Sequence, residues 1–124
     1  MITGIGTDFI EIVRIQRAIE KNPHFMERVY TANEIAYCQR KKNVWQSFAA
    51  RFAAKEAVSK ALGTGIGPVG LMEIEILNAE NGQPKVVLHG KALQLAADRN
   101  IQRVHISLSH SEAYAMATAV LEGE

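Results

Sequence analysis

The sequence predicts an α+β fold, in which a helical N-terminal half packs on a mainly antiparallel sheet. Helix-forming residues dominate the first half, where an alanine-rich run that starts at Phe48 continues without proline or glycine until Gly63. In the second half, apolar and polar residues alternate as in half-buried strands, and an Asn-Gly pair separates two such segments. At 124 residues the chain can enclose a hydrophobic core, so we expect one domain over residues 1–124.

The first half is predicted to contain one strand and four helices. The strand is rich in β-branched residues, and Gly4 and Gly6 within it allow another backbone or a ligand to approach closely. Isoleucines at helical spacing follow, until Asn22-Pro23 ends their helix. In chain order, the predicted elements are a strand over residues 2–12, an amphipathic helix over 12–21, a short helix over 24–30, a helix from the capping box Thr31-Ala-Asn-Glu34 to about Lys41, and the central alanine-rich helix, which Gly63 ends.

The second half is predicted to add a hairpin, one helix and two strands. The Asn-Gly turn joins two alternating segments, and Asn100 ends the helix that follows them. The last segment is apolar with little alternation, which favours a buried strand but also allows a helix. The predicted elements are strands over residues 71–77 and 85–88 around a turn at 78–84, a helix from His89-Gly90 to about Arg99, a strand over 104–111, and the apolar segment 113–121.

Positive charge is concentrated in the first half of the chain. Residues 1–62 carry a net charge of +4 and residues 63–124 a net charge of −3, so a partner attracted to the basic half would be acidic. Nucleic acid fits less well, because no basic stripe is interleaved with aromatic residues. The alternative is that these side chains are solvated helix faces. The basic candidates are Arg14, Arg17, Lys21, Arg28, Arg40, Lys41 and Lys42.

Several common kinds of site are not indicated. A single cysteine, Cys38, excludes an internal disulfide and a cysteine-based zinc site, and the four histidines lack metal-ligand spacing. A serine hydrolase would need a turn such as Gly-x-Ser-x-Gly, and the side chains of Ser109 and His110 diverge as neighbours on a strand. Without a membrane-length apolar run or a secretory signal, we expect a cytoplasmic location.

The central helix carries an unusual row of residues spaced four apart. Its aromatic members anchor the row in a core, so the carboxylate of Glu56 lies at the edge of apolar packing and needs a partner. Arg51 and Lys55 form the adjacent row, so three cations accompany one carboxylate near the end of the helix, which suits a metal with phosphates. The alternative is that Glu56 and Lys60 form an ordinary surface pair. The row consists of Phe48, Phe52, Glu56 and Lys60.

Asp8, near the end of the first strand, has two interpretations. It is either the cap of the helix that follows or a metal ligand, and the residue by itself favours the cap. If it meets Glu56 in space, the two carboxylates are oxygen ligands of the kind that Mg²⁺ prefers. Lys60, Arg51 and His110 would then face the charge of a substrate's phosphates. The chain has no evident nucleophile, so we expect the substrate to bring one.

Three segments resemble the signature regions of phosphopantetheinyl transferases. They are GIGTDFIEIVRI at residues 4–15, RFAAKEAVSKALGTGIG at residues 51–67 and SLSHS at residues 107–111. Their order and the length of the chain resemble the small bacterial type, the holo-acyl-carrier-protein synthases. The resemblance implies the 4′-phosphopantetheinyl transferase fold. It also implies transfer of the 4′-phosphopantetheine arm of coenzyme A to a serine of apo-acyl carrier protein, in support of fatty acid biosynthesis, with release of adenosine 3′,5′-bisphosphate.

The resemblance also implies roles for particular residues. Asp8 and Glu56 match the ligands of a required Mg²⁺, and Lys60 matches the lysine near the pyrophosphate, so these three are the candidate catalytic residues. Members of this type form trimers with active sites between subunits. The general base is left open between Glu56, a metal-bound water and a group on the carrier. Coenzyme A binding is implied for Arg51, Lys60, His110 and the loop with Gly63 and Gly65, and carrier-protein binding for Arg14.

Two other classes of function are weighed against the transferase. A non-catalytic module that binds coenzyme A would keep the cations for phosphates but would not need the carboxylate pair of Asp8 and Glu56. In a structural or interaction domain, the same residues would serve only as a helix cap and a surface ion pair. Metal-dependent binding of coenzyme A separates this last reading from the first two.

Overall fold

The computed structural model describes all residues from Met1 to Glu124, and it has the predicted α+β architecture. None of its helices is both long enough and apolar enough to span a bilayer. A short 3-10 turn at Leu71–Glu73 precedes the second strand. The elements are β1 (Ile2–Glu11), α1 (Ile12–Lys21), α2 (Phe25–Val29), α3 (Ala32–Gln39), α4 (Val44–Ala61), β2 (Ile74–Asn78), β3 (Pro84–Leu88), α5 (Gly90–Asp98), β4 (Ile101–His110) and β5 (Tyr114–Gly123).

The strands form two antiparallel sheets. β5 lies in the middle of a three-stranded sheet between β1 and β4, and β2 pairs with β3 in a separate hairpin. α4 packs across one face of the larger sheet, where buried alanines of the helix meet buried alanines of β5. These small side chains allow a close approach between helix and sheet. The buried alanines are Ala53, Ala54 and Ala57 on α4 and Ala115, Ala117 and Ala119 on β5.

Two glycines of β1 bring this strand against α4. A Cβ atom at Gly4 would overlap the carbonyl oxygen of Ala61, and one at Gly6 would overlap that of Ala57. The predicted close approach at these glycines is therefore confirmed, and what approaches is a helix backbone. Glycine at these positions determines how near the strand lies to the helix.

The second half departs from the prediction at residues 71–73 and matches the favoured strand in the final segment. Residues 71–73 form the 3-10 turn rather than a strand, because the Glu73 carboxylate accepts a hydrogen bond from the backbone N–H of Gly70 (2.6 Å) and another from that of Lys91 at the start of α5. The final segment is strand β5, so the helical alternative is wrong. Its side chains alternate between the buried face and the opposite face of the sheet, as in a strand covered by α4 on one side.

A buried ion pair joins α3, α4 and the start of β2. The Nζ atom of Lys55 lies 2.7 Å from Glu34 and donates hydrogen bonds to the carbonyl oxygens of Leu71 (3.0 Å) and Ile74 (2.8 Å). Both charged side chains are fully buried. Burial lowers the pKa of Lys55, and the adjacent Glu34 carboxylate opposes that shift. Lys55 therefore does not join the cations at the end of α4 as predicted, because its side chain extends into the interior.

Glu34 serves this interior site as well as the predicted capping box. Its carboxylate accepts the backbone N–H of Thr31 (2.8 Å), and the Thr31 hydroxyl accepts the N–H of Glu34 (3.3 Å). The capping box is thus confirmed. The second carboxylate oxygen accepts the N–H of Ile76 in β2 (2.7 Å), so one glutamate connects three elements.

Candidate functional site

Asp8 and Lys60 form an ion pair between β1 and the last turn of α4. The ammonium of Lys60 donates to the Asp8 carboxylate (3.0 Å) and to the carbonyl oxygen of Thr7 (3.0 Å). Asp8 is not the cap of α1. That helix follows β1 without a break, its N-cap residue is Glu11, and no side chain caps it. Asp8 lies within the strand instead, paired with Ala117 of β5.

Glu56 lies one turn before Lys60 on α4, but the two side chains form no ion pair. Lys60 turns to Asp8 instead, so the interpretation of Glu56 and Lys60 as an ordinary surface pair is wrong. Burial raises the pKa of Glu56, the negative charge of Asp8 raises it further, and the positive charge of Lys60 opposes both effects. The charge of Asp8 on β1 therefore reaches Glu56 on α4, and the ammonium of Lys60 joins β1 to the helix end.

The carboxylate oxygens of Asp8 and Glu56 are suitable ligands for a hard divalent cation. Mg²⁺ is usually held by one or two carboxylates and completes its coordination with water and phosphate oxygens. Asp8 and Glu56 would supply two such carboxylates, and the pKa of Glu56 is raised first by burial and then by the charge of Asp8. No group of three or more His, Cys, Asp or Glu side chains is arranged to hold a metal. A cation here would thus depend on water or substrate oxygens for most of its ligands.

The chain turns sharply where α4 ends beside this pair. Gly63 and Gly65 have positive φ values of 83° and 65°, which favour glycine. The carbonyl oxygen of Ser59 accepts hydrogen bonds from the backbone N–H groups of Thr64 (3.2 Å) and Gly65 (3.1 Å). The loop is therefore folded back onto the helix end, and Gly63 ends the helix as predicted.

Arg51 lies elsewhere, on a different side of α4. Its side chain is only 4% exposed, its guanidinium carbon is 3.9 Å from the centre of the Tyr37 ring, and it donates a hydrogen bond to the Asn78 side chain. A groove of about 630 Å³ between α4, β4 and the β2–β3 hairpin is lined by Arg51 and, at the end of β4, by the exposed His110. Arg51 and His110 thus share one groove.

This groove is separate from the carboxylate pair. β1 and β4 are the two edges of the sheet, and Asp8 pairs with Ala117, which pairs in turn with Leu108 of β4. Two strand spacings make the edges about 10 Å apart, so Asp8 and His110 do not meet within one chain. None of the four surface cavities of the chain is lined by Asp8 or Glu56.

Arg14 lies on the exposed face of α1. With Arg17 and Lys21 it lines a shallow groove that also includes Phe25, the first residue of α2. Basic groups here flank an aromatic ring, which is a surface suited to an acidic partner with some apolar side chains. Of the seven basic candidates, the structure brings Arg14, Arg17 and Lys21 together in this groove.

Sequence reasoning missed the two residues that contact Arg51. Tyr37 belongs to α3 and Asn78 to the end of β2, and neither has an alternation or motif that marks a site. Both contacts join elements that are distant along the chain, so periodicity within one element could not reveal them. A polar residue at the start of a predicted turn was the only available signal, and turns contain asparagine for other reasons.

Known proteins resemble this chain over nearly its whole length. The family model of the 4′-phosphopantetheinyl transferase superfamily matches residues 4–119. A holo-[acyl-carrier-protein] synthase from Ruminiclostridium cellulolyticum is 53% identical over 120 residues, which cover 94% of this chain and 90% of the relative. The synthase from Koribacter versatilis is 47% identical over 124 residues, which cover 98% of this chain and 99% of the relative.

Solved structures give the same result. A holo-[acyl-carrier-protein] synthase from Neisseria meningitidis has a TM-score of 0.90 at 35% identity, covering 98% of this chain and 99% of the other. The synthase from Bacillus anthracis, solved in complex with coenzyme A (3′,5′-ADP), has a TM-score of 0.82 at 40% identity, covering 100% and 99%. From its sequence and its fold together, this chain belongs to the 4′-phosphopantetheinyl transferase superfamily.

Proposed function

We propose that this protein transfers the 4′-phosphopantetheine arm of coenzyme A to a serine hydroxyl of apo-acyl carrier protein and releases adenosine 3′,5′-bisphosphate. The names of its relatives and the coenzyme A complex of a solved neighbour support this reaction. The single observation that carries it here is that Lys60 of α4 bonds to Asp8 of β1, one helical turn from the Glu56 carboxylate on which the charge of Asp8 acts. A module that only bound coenzyme A would not need two carboxylates in a site for phosphates.

The reaction is a phosphoryl transfer in which the chain mainly positions and neutralises charge. The serine oxygen forms a bond to the phosphorus that carries the pantetheine arm, and the bond from that phosphorus to the bridging oxygen of the bisphosphate breaks. Asp8 and Glu56 would hold Mg²⁺, which, when bound, would neutralise charge on the pyrophosphate. Lys60 would contact the phosphates. The serine proton must leave to a base.

The decisive experiment is intact-mass spectrometry of an apo-acyl carrier protein incubated with this protein and coenzyme A. We expect a mass gain of one phosphopantetheine arm with Mg²⁺ and none with a chelator. If several apo carriers gain no mass with Mg²⁺, the proposed reaction is wrong, and a coenzyme A-binding module becomes the better interpretation. A mass gain that persists with the chelator would support the reaction and contradict the role of the cation.

We further propose that the modified carrier serves fatty acid biosynthesis in the cytoplasm.

The coenzyme is proposed to lie between subunits of a homotrimer. Arg51, His110 and the loop with Gly63 and Gly65 would hold it together with Lys60. The carboxylate pair lies at the β1 edge of the sheet and His110 at the β4 edge, so contact between two chains would bring the pair of one chain beside the groove of the other. A site completed by a second copy would also explain why no cavity of a single chain includes the carboxylate pair.

The open face of the three-stranded sheet supports this assembly. The exposed fraction is 67% for Ile5, 63% for Phe9 and 40% for Met116. The ring of Phe9 stacks on the ring of Tyr114, with 4.6 Å between the ring centres. These residues of β1 and β5 lie on the face opposite α4. A contiguous apolar face of this kind on a small chain usually marks a contact with another protein.

Replacing Phe9 by lysine is expected to convert the trimer to a monomer and to lower transfer at least about tenfold, because a charge would be buried at the contact. Light scattering coupled to gel filtration would measure the mass, and the carrier assay would measure transfer. Leu93→Lys is the matched control, since Leu93 is 54% exposed on α5, away from this face. A Phe9→Lys protein that stays trimeric would contradict the proposed interface.

Reversing the charge of Arg14 is expected to raise the KM for the carrier about tenfold and to leave coenzyme A binding nearly unchanged, because Arg14 lies on the α1 surface proposed for the acidic carrier. Initial rates at varied carrier and at varied coenzyme A concentration would separate the two effects. Added salt should raise the KM for the carrier of the original protein, because it screens exposed charges. Lys91→Glu on α5 makes the same charge change as a control. Equal losses for both substrates would contradict this role.

A further inference from the structure

The Arg51 guanidinium is held from two sides by side chains of other elements. The ring of Tyr37 on α3 lies against its face, with 3.9 Å between the guanidinium carbon and the ring centre. The Asn78 oxygen at the end of β2 accepts a hydrogen bond from Nη2. Asn78 also donates from its Nδ2 to the carbonyl oxygen of Gly82 (2.9 Å), in the turn of the hairpin. The position of the guanidinium is thus coupled to the conformation of that turn.

The contacts of Arg51 with Tyr37 and Asn78 bring no negative charge to its guanidinium. Arg51 is only 4% exposed, yet no carboxylate forms an ion pair with it. Its Nε atom is buried and has no hydrogen-bond partner. A buried cation with only neutral partners is costly unless an anion arrives. Two grooves meet at this residue, and Tyr37, Asn78 and Lys85 line both of them.

We propose that Tyr37 and Asn78 are positioning residues that orient the Arg51 guanidinium toward a phosphate on the nucleotide part of the coenzyme. This inference rests on the proposed function. A planar guanidinium binds phosphate best when its N–H groups are fixed in direction. An aromatic face and an amide oxygen fix that direction without neutralising the charge, whereas a carboxylate in place of Asn78 would compete with the phosphate. Tyr37 and Asn78 act through Arg51 and need not touch the ligand.

The test measures the affinity for adenosine 3′,5′-bisphosphate by calorimetry, which requires neither carrier nor turnover. We expect Asn78→Ala and Tyr37→Leu to weaken binding about tenfold, the size of a lost hydrogen bond to a charged group. Tyr37→Phe keeps the aromatic face and should bind like the original protein. Asn78→Asp should also weaken binding, since it adds a competing negative charge with little change in shape. Thermal unfolding of each variant would verify that it folds.

A double-mutant cycle shows whether Asn78 acts through Arg51. In an Arg51→Met background, Asn78→Ala should cause no further loss of affinity. Asn81→Ala is the matched control, because Asn81 bonds only to Gln83 within the same turn and does not contact Arg51. In the transfer assay, Asn78→Ala should raise the KM for coenzyme A and leave kcat nearly unchanged, a split that general destabilisation would not produce.

Three results would overturn the inference. They are failure of the original protein to bind the bisphosphate, an equal effect of Asn78→Ala with and without Arg51, and an equal loss in Asn81→Ala. Failure of the proposed function is separate, because it would appear as absent transfer by the original protein. Bisphosphate binding that depends on Asn78 only when Arg51 is present would support the inference even in that case.

Discussion

Glu56→Gln is expected to abolish phosphopantetheine transfer and to yield a protein that unfolds at a higher temperature at neutral pH. Transfer should fall about a thousandfold or more, because a bound cation contributes several kcal/mol of charge stabilisation in the transition state. The fold should persist, since the Glu56 carboxylate takes part in none of the ion pairs between elements. The stability gain follows from the raised pKa of Glu56, to which burial contributes most and Asp8 next.

The pH dependence of this gain has a definite sign. A carboxyl group with a raised pKa in the folded state stabilises the fold fully below its unfolded pKa of about 4.5, and this contribution is lost as pH rises through the higher folded value. Glutamine never ionises. The difference in Tm between Glu56→Gln and the original protein should therefore be small near pH 4 and increase toward pH 7.

Calorimetric melting between pH 4 and pH 7 would measure the difference in Tm, and the carrier assay would measure transfer. Glu27→Gln makes the same chemical change at an exposed site on α2 and should leave Tm and transfer nearly unchanged. A folded Glu56→Gln protein that still transfers the arm at the original rate would refute the catalytic and metal-binding role of Glu56. A Tm difference that shrinks as pH rises would refute the raised pKa of Glu56 and its causes, burial first and the charge of Asp8 second.

Lys55→Met is expected to lower the free energy of unfolding by about 3–5 kcal/mol, because it leaves the Glu34 charge buried without its partner. Two backbone carbonyls, of Leu71 and Ile74, would also lose their donor. A loss of this size is a large part of the stability of an ordinary domain. Urea unfolding at neutral pH would measure it.

The double variant Glu34→Gln/Lys55→Met should recover part of this loss. Glutamine carries no charge and keeps one acceptor oxygen, whereas the two carboxylate oxygens of Glu34 accept separate backbone N–H groups, of Thr31 and Ile76, so the recovery is only partial. Lys42→Met, at an exposed lysine, is the control for the change of residue type. If Lys55→Met lost less than about 1 kcal/mol, the pair would be a minor contributor, in the range of surface ion pairs.

Lys55 and Glu56 illustrate what could be predicted from the sequence. The helix that contains Lys55 and Glu56 was predictable from its alanines and from Gly63 at its end, and both expectations were confirmed. The direction of each charged side chain was not predictable, because helical spacing defines faces without showing which element covers them. Lys55 was expected near the phosphates, but α3 and β2 supply a carboxylate and carbonyls that bury it.

The same limit applies to Asp8 and to the start of β2. Spacing could not show whether Asp8 meets Glu56, since that depends on how β1 packs against α4. Local preference favoured a helix cap, and the structure has a strand residue bonded to Lys60 instead. At residues 71–73, alternation predicted a strand, but Glu73 accepts hydrogen bonds from the neighbouring N–H of Gly70 and from the distant N–H of Lys91, and these favour a turn. In each case a long-range contact decided the local geometry.

The glycines of β1 have a consequence for how loss of activity should be interpreted. Gly6 lies against the backbone of α4 at Ala57 and Ala61, two residues before Asp8 and beside the Cβ atom of Lys60. Any side chain there would push β1 away from α4 and increase the distance between Asp8 and Glu56. A residue with no functional group therefore sets the distance between the two carboxylates that we propose as Mg²⁺ ligands. Lost activity in a variant at this glycine would report altered spacing rather than missing chemistry.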